Sequence, residues 1–177
     1  QRRLRLLPLG LGPAQRHFVG GGVDPEQHIA FLDLGALDVF ARQQQAAAHD
    51  GKVSAFDAVK GDRLWRVKTK LQLSGGPTTD GEVVVLGSSN GEVVALSAAD
   101  GTQKWRTTVT SEVLAAPAIA GGLALVRTVD GKLTALDLTD GSQRWFTQQV
   151  MPRLTVRGTG APVVVKDIVI GGFDNGK

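Results

Sequence analysis

Three tryptophans recur at a constant interval of forty residues, and they constrain the fold of this chain more than any other feature. They are the only tryptophans in the 177 residues. Each closes the same pattern, in which an alanine is followed by a glycine six residues later and by the tryptophan four residues after that. The tryptophans are Trp65, Trp105 and Trp145. The glycines are Gly61, Gly101 and Gly141. A fixed stride of this length indicates a chain built from repeated structural units.

Each forty-residue unit contains signals for four short antiparallel strands. In the second unit a β-branched run at 82–87 is followed by Asn90-Gly91, a strong two-residue hairpin signal, and then by a second run at 92–96. The third unit predicts strands at residues 117–120, 123–128, 132–137 and 143–147. Four strands per forty residues are typical of a β-propeller blade.

The repeated glycines and tryptophans have separate predicted roles in docking one blade on the next. Each glycine closes the turn from the third strand to the fourth, where a positive φ is tolerated without strain. Each tryptophan lies on the outermost strand and is expected to cover the neighbouring blade. A fully buried indole contributes about 4–6 kcal/mol as an upper bound. Ala55, Ala95 and Ala135 are small enough for close packing between blades.

Residues 1–49 do not carry the repeat and are predicted to be an unassigned, non-native or disordered segment. One stride before Trp65 the chain has Pro25. Gln43-Gln44-Gln45 stands where a β-branched run is expected, so the first blade is predicted to lack its inner strands. Residues 50–177 are then an all-β, partial propeller of about three blade-equivalents.

Composition argues against several classes of function. A net charge of +3 without clustered Lys and Arg does not favour nucleic-acid binding. Cysteine is absent, and the three histidines, at positions 17, 28 and 49, show no metal-ligand spacing. Asp-Gly pairs are explained by hairpin turns rather than by paired catalytic carboxylates. We therefore predict no catalytic residues, no metal and no cofactor.

The stride breaks once, after the third tryptophan. Pro77 and Pro117 are forty residues apart, but Pro117 and Pro162 are forty-five apart, so five extra residues lie between Trp145 and Pro162. Insertions in a propeller fall on loops, where binding residues concentrate. Apolar and basic side chains alternate in this stretch, namely Arg153, Leu154, Val156 and Arg157. The residues alone leave two interpretations open, a partner-binding loop or an extended first strand that buries Leu154 and Val156.

The repeat Ala-x-Asp-x-x-x-Gly-x-x-x-Trp resembles that of the quinoprotein-like eight-bladed propellers. Within that class residues 73–176, and most closely 151–158, are similar to the BamB family of lipoprotein scaffolds in the outer-membrane β-barrel assembly machinery. The resemblance implies that Leu154, Val156 and Arg157 match family positions that contact the barrel protein BamA, with Arg153 beside them.

The same resemblance implies a non-catalytic protein on the periplasmic face of the outer membrane. It further implies contact with nascent outer-membrane β-strands, and membrane association through a lipid anchor that is not in this chain. Two alternatives stay open at this point. One is a fragment of a quinone-dependent dehydrogenase, whose family often uses adjacent cysteines that are missing here. The other is a generic repeat-propeller interaction module.

Overall fold

The computed structural model is built from short antiparallel strands. It describes residues 29–31, 43–151 and 158–173, and within these ranges there is no helix, hence none long enough to span a bilayer. The strands are β1 (Ile29–Phe31), β2 (Gln43–Ala48), β3 (Lys52–Asp57), β4 (Arg63–Lys68), β5 (Thr78–Thr79), β6 (Val83–Gly87), β7 (Glu92–Ser97), β8 (Gln103–Thr108), β9 (Ala118–Ala120), β10 (Leu123–Arg127), β11 (Lys132–Asp137), β12 (Gln143–Gln148), β13 (Val163–Val165) and β14 (Ile168–Ile170).

Consecutive strands pair into blades. The first blade is β1-β2-β3-β4, the second β5-β6-β7-β8 and the third β9-β10-β11-β12, and each is a simple four-stranded meander. Strands β13 and β14 form a two-stranded sheet that begins a fourth blade. The predicted class, a partial all-β propeller, is confirmed, and the strands predicted for the third unit match β9 to β12 to within a residue or two.

Strand register repeats with the sequence. In every four-stranded blade the small alanine of the motif lies opposite the tryptophan: Ala55 opposite Trp65, Ala95 opposite Trp105 and Ala135 opposite Trp145. A register shift follows the alanine in each case. Such a bulge increases the local twist of a strand pair, so the three outer strands are twisted at the same point.

Both faces of the second blade are buried, since alternate residues of a strand point to opposite faces. On β6, Val84 and Leu86 belong to the core shared with the first blade. Val83 and Val85, on the same strand, belong to the core shared with the third blade. This explains why the sequence has a continuous apolar run there rather than an alternation.

Aspartate side chains of the repeated motif stabilise its turns. Asp57 Oδ1 accepts hydrogen bonds from the backbone N–H groups of Val59 and Lys60, both at 2.8 Å. Asp137 Oδ1 accepts one from Thr139 N–H, also at 2.8 Å. These carboxylates satisfy turn donors that no strand partner reaches, as expected for Asx turns.

The expectation that the first blade lacks its inner strands is wrong. Strand β2 contains Gln43-Gln44-Gln45 and pairs with β3 along its length, and β1 pairs with β2. Strand pairing uses backbone hydrogen bonds, so a neighbouring strand can hold a segment of low β-propensity in the sheet. Gln45 lies opposite Ala55 and is 2% exposed. Its counterparts one and two strides on are Val85 and Leu125.

Candidate partner-binding loop

Two of the three tryptophans dock one blade on the next through the same contacts. Trp65 Nε1 donates to the Ala98 carbonyl at 2.7 Å, and a Cβ built on Gly101 would lie 2.7 Å from Cε3 of that ring. Trp105 Nε1 donates to the Leu138 carbonyl at 2.8 Å. Its ring lies against Gly141 in the same way, and a Cβ built on Gly141 would lie 2.6 Å from Trp105 Cε3. Glycine is needed here because any side chain would occupy the place of the indole.

Trp145 differs from the other two tryptophans. It is 39% exposed, against 9% for Trp65 and 6% for Trp105. The carbonyl acceptor lies 33 residues after each docked tryptophan. No hydrogen bond of this kind is seen for Trp145 among the described residues, so the docking predicted for Trp145 stays a prediction. Gly61 adopts the positive φ expected for its turn, +77°.

The forty-residue stride holds as far as Met151. After each outer strand the chain returns to the hairpin between the second and third strands through one repeated backbone bond. These bonds are Thr69 N–H to Gly51 O at 2.8 Å, Val109 N–H to Gly91 O at 2.7 Å and Gln149 N–H to Gly131 O at 2.8 Å. Two residues later the Met151 side chain covers Gly131, where a Cβ would lie 2.5 Å from Met151 Cγ. The chain is still in register at this point.

The chain rejoins the repeat at Gly158. In the second blade Gly87 lies against Val113, and a Cβ on Gly87 would lie 2.2 Å from Val113 Cγ1. One stride on, Arg127 replaces that glycine, and its Nη1 donates to the Gly158 carbonyl at 3.1 Å. Gly158 thus takes the place of Val113.

The contacts of Met151 and Gly158 show where the five extra residues lie. Ser111, the counterpart of Met151, is two residues before Val113, whereas Met151 is seven residues before Gly158. The insertion therefore lies between Met151 and Gly158, and both of its stems contact the segment from Arg127 to Gly131. The predicted partner-binding residues fall inside this interval and outside the described residues: Arg153, Leu154, Val156 and Arg157.

Arg127 is a residue that the sequence analysis missed. It is 5% exposed, and the Phe173 ring centroid lies 5.3 Å from its guanidinium carbon. Nη1 also lies 3.5 Å from the Gly160 carbonyl. The available signal was positional: the two preceding units have Ala47 and Gly87 where this unit has an arginine.

The same hairpin holds a partly buried carboxylate. Burial raises the pKa of Asp130, but hydrogen bonds from Thr128, Thr110 and the Lys132 backbone outweigh it, so that the pKa is lowered from its ordinary value. Thr128 Oγ1 lies 2.5 Å from Asp130 Oδ1. The base of the loop therefore includes a fixed negative charge at neutral pH.

No catalytic constellation is apparent elsewhere in the described part of the chain. A shallow cavity of about 500 Å³ is lined by His49, Asp50, Lys68, Lys70, Leu71 and Gln72. His49 Nδ1 is 2.9 Å from the Leu73 carbonyl, and Lys52 pairs with Asp50 at its edge. Across the described ranges no three His, Cys, Asp or Glu side chains are placed to hold a metal ion. These contacts are those expected of an ordinary blade surface.

Comparison with known proteins gives a consistent assignment. The sequence model of one family, described as "Outer membrane protein assembly factor BamB", matches residues 49–177. The outer membrane protein assembly factor BamB of Kangiella koreensis is 62% identical over 128 residues, which are 72% of this chain.

Solved structures share the fold. The crystal structure of BamB from Moraxella catarrhalis matches with a TM-score of 0.63 and 27% identity, covering 78% of this chain and 41% of that one. A quinohemoprotein alcohol dehydrogenase from Comamonas testosteroni matches with a TM-score of 0.53 and 21% identity over 60% of this chain and 19% of that one, which is a likeness of fold alone. The chain spans 33% of the length of the Kangiella relative.

Proposed function

This chain belongs to the family of the outer membrane protein assembly factor BamB, and from that premise we propose that it is part of a non-catalytic scaffold. The scaffold would act in the assembly of outer-membrane proteins. The family assignment rests on a match over residues 49–177 and on a relative of 62% identity. The three four-stranded blades supply the rigid frame that such a role requires.

The observation that carries the proposal is the position of the insertion. Backbone contacts repeat at a stride of forty from blade to blade until Met151, and the repeat resumes at Gly158. After the first and second blades the chain crosses the same interval with five fewer residues. Residues that a fold does not need are free to serve binding, and loops held by a rigid sheet are where binding residues concentrate.

The partner we propose is a BamA-like outer-membrane barrel protein. The inserted stretch places two apolar side chains, Leu154 and Val156, between Arg153 and Arg157. Apolar anchors beside a guanidinium group are the composition of an interface hot spot, since arginine offers a planar fork to carboxylates and carbonyls. We expect Leu154, Val156 and Arg157 to make the contact and Arg153 to support it.

The proposal includes a location and a second partner. A scaffold of this kind would act on the periplasmic face of the outer membrane, with nascent outer-membrane β-strands as further clients. Membrane attachment through a lipid anchor belongs to the same proposal. The likeness to a quinohemoprotein dehydrogenase is at 21% identity and supports only the fold, so it adds nothing in favour of an enzyme.

Capture of a purified BamA-like barrel protein tests the proposal. Leu154→Ala and Arg157→Ala are each expected to weaken binding by about 2 kcal/mol, the usual cost of truncating a hot spot. The control is Arg144→Ala, which removes an arginine from the exposed strand β12. Binding constants would be measured by calorimetry or surface plasmon resonance. Equal affinity of the wild type and the Leu154→Ala/Arg157→Ala double variant would refute the assignment of this loop.

A further inference from the structure

We propose that Arg127 is a positioning residue that holds Gly158 and Gly160, where the chain re-enters the repeat, so that this end of the inserted loop is fixed before a partner arrives. This inference rests on the proposed function, because it concerns how the same loop is presented. Arg127 would not itself touch the partner, since it is 5% exposed. Its effect would be transmitted through the residues it holds.

The contacts of Arg127 point to this role. Its Nη1 donates to the Gly158 carbonyl at 3.1 Å, and the Gly160 carbonyl lies 3.5 Å away. The ring of Phe173, after β14, lies 5.3 Å from the guanidinium carbon. One side chain of the third blade therefore connects the residues at the end of the insertion to the start of the fourth blade. Hydrogen bonds from a charged donor are stronger than neutral ones.

Comparison with the preceding blades shows that the fold does not require this arginine. The corresponding pairs are Ala47 with Leu73 and Gly87 with Val113, small residues matched to larger apolar ones. In the third blade the sizes are reversed, with Arg127 against Gly158. An apolar pair would close the same space without the cost of burying a charge. The exchange occurs only where five residues have been inserted, which associates the arginine with the loop.

The N-terminal stem is held by the same hairpin. Gln149 N–H donates to the Gly131 carbonyl at 2.8 Å, and Met151 packs on Gly131. The chain thus leaves and rejoins the blade within the segment from Arg127 to Gly131. Fixing both ends of a loop reduces the conformational entropy that is lost on binding.

Two variants separate the anchor from simple packing. Arg127→Met keeps much of the length and apolar volume of the side chain but removes the donors. The double variant Arg127→Gly/Gly158→Val recreates the pair of the second blade and so keeps the space filled. Arg106→Met is the matched control, because Arg106 is an exposed arginine paired with Glu92 through its Nε at 2.9 Å.

The first readout needs no partner. Trypsin must bind several residues on both sides of the Arg157–Gly158 bond, so an anchored Gly158 and Gly160 slow its cleavage. We expect cleavage at this bond to be about tenfold faster in Arg127→Met than in the wild type, and about tenfold faster in the double variant than in Gly158→Val, which has the same cleaved bond, as local opening becomes easier. Thermal melting would show that global unfolding is not the cause. Arg106→Met should be cleaved at the wild-type rate.

The second readout is capture of the BamA-like barrel protein by the full chain, with an expected loss of about tenfold in both Arg127 variants. Unchanged cleavage at Arg157–Gly158 would overturn the anchor, and faster cleavage with unchanged affinity would overturn its role in binding. If the wild type does not capture the barrel protein, the proposed function fails, and the cleavage rates alone decide whether Arg127 anchors the loop.

Discussion

At the residue scale, the propeller depends on glycines that leave room for an indole. Gly101 and Gly141 have φ values of +75° and +76°, and each lies under a tryptophan of the preceding blade. Two requirements therefore coincide at one position, a left-handed backbone and the absence of a side chain. Sequence periodicity predicted these residues, because both requirements recur in every unit and select the same amino acid each time.

Gly101→Ala and Gly122→Ala form a matched pair that separates the two requirements. Both glycines have a φ of +75°, but a Cβ on Gly101 would lie 2.7 Å from the Trp65 ring, and one on Gly122 meets nothing within 4 Å. Both variants should lose about 1–2 kcal/mol to backbone strain. Gly101→Ala should lose a further 1–3 kcal/mol or so from overpacking. Urea denaturation would show this difference, and equal losses would argue against the docking role of Trp65.

At the element scale, the positions of the strands agree better with the turn residues and with burial than with the β-propensity of each segment. Hairpins with Asn-Gly or Asp-Gly turns were predictable, since those residues accept the positive φ that the turn needs. Strand β2 was not, because its Gln-rich sequence is held by pairing with β3 rather than by its own preference. The side chains of residues 153–157 could be proposed for binding from the sequence pattern. The sequence shows that Arg127 replaces a small residue of the preceding units, but not what it contacts, because Gly158 and Gly160 are 31 and 33 residues away.

Strand β2 provides a second test of stability. Gln45 is 2% exposed, and its Oε1 has no hydrogen-bond partner among the described residues, while its counterparts are Val85 and Leu125. Gln45→Leu should therefore raise the free energy of unfolding by about 1 kcal/mol or more, since it removes an unsatisfied buried polar group. Gln44→Leu, at an exposed position of the same strand, should change it by less than about 0.5 kcal/mol. A destabilised Gln45→Leu protein would show that the amide is satisfied.

The hairpin of the third blade should make stability depend on pH. The pKa of Asp130 is lowered in the folded protein, so its contribution is fully present above the unfolded pKa and is lost as the pH falls through the folded value. Thermal melting should show a fall in Tm from about pH 5 to about pH 3 that is smaller in Asp130→Asn. A wild-type fall no larger than that of the variant would contradict the hydrogen bonding assigned to this carboxylate.

At the scale of the whole molecule, the apolar face of a blade is buried wherever another described blade packs against it. The second blade is buried on both faces, whereas strands β13 and β14 expose Val163, Val165, Ile168 and Ile170. The chain spans 33% of its Kangiella relative, and closed propellers have no free blade faces of this kind. From β2 to Met151 the described strands keep the forty-residue stride, which is then interrupted between Met151 and Gly158, and β1 lies further from β2 than β5 and β9 lie from the strands that follow them.

Removing residues 153–157 tests the central claim most directly, because it restores the forty-residue stride and leaves Met151-Pro152-Gly158 in place of Ser111-Glu112-Val113. We predict a protein that melts within a few degrees of the wild type, about 1 kcal/mol or less in stability, and that no longer captures the BamA-like barrel protein. A shortened protein that fails to fold would show that the insertion belongs to the blade, and one that folds and still binds would place the partner elsewhere.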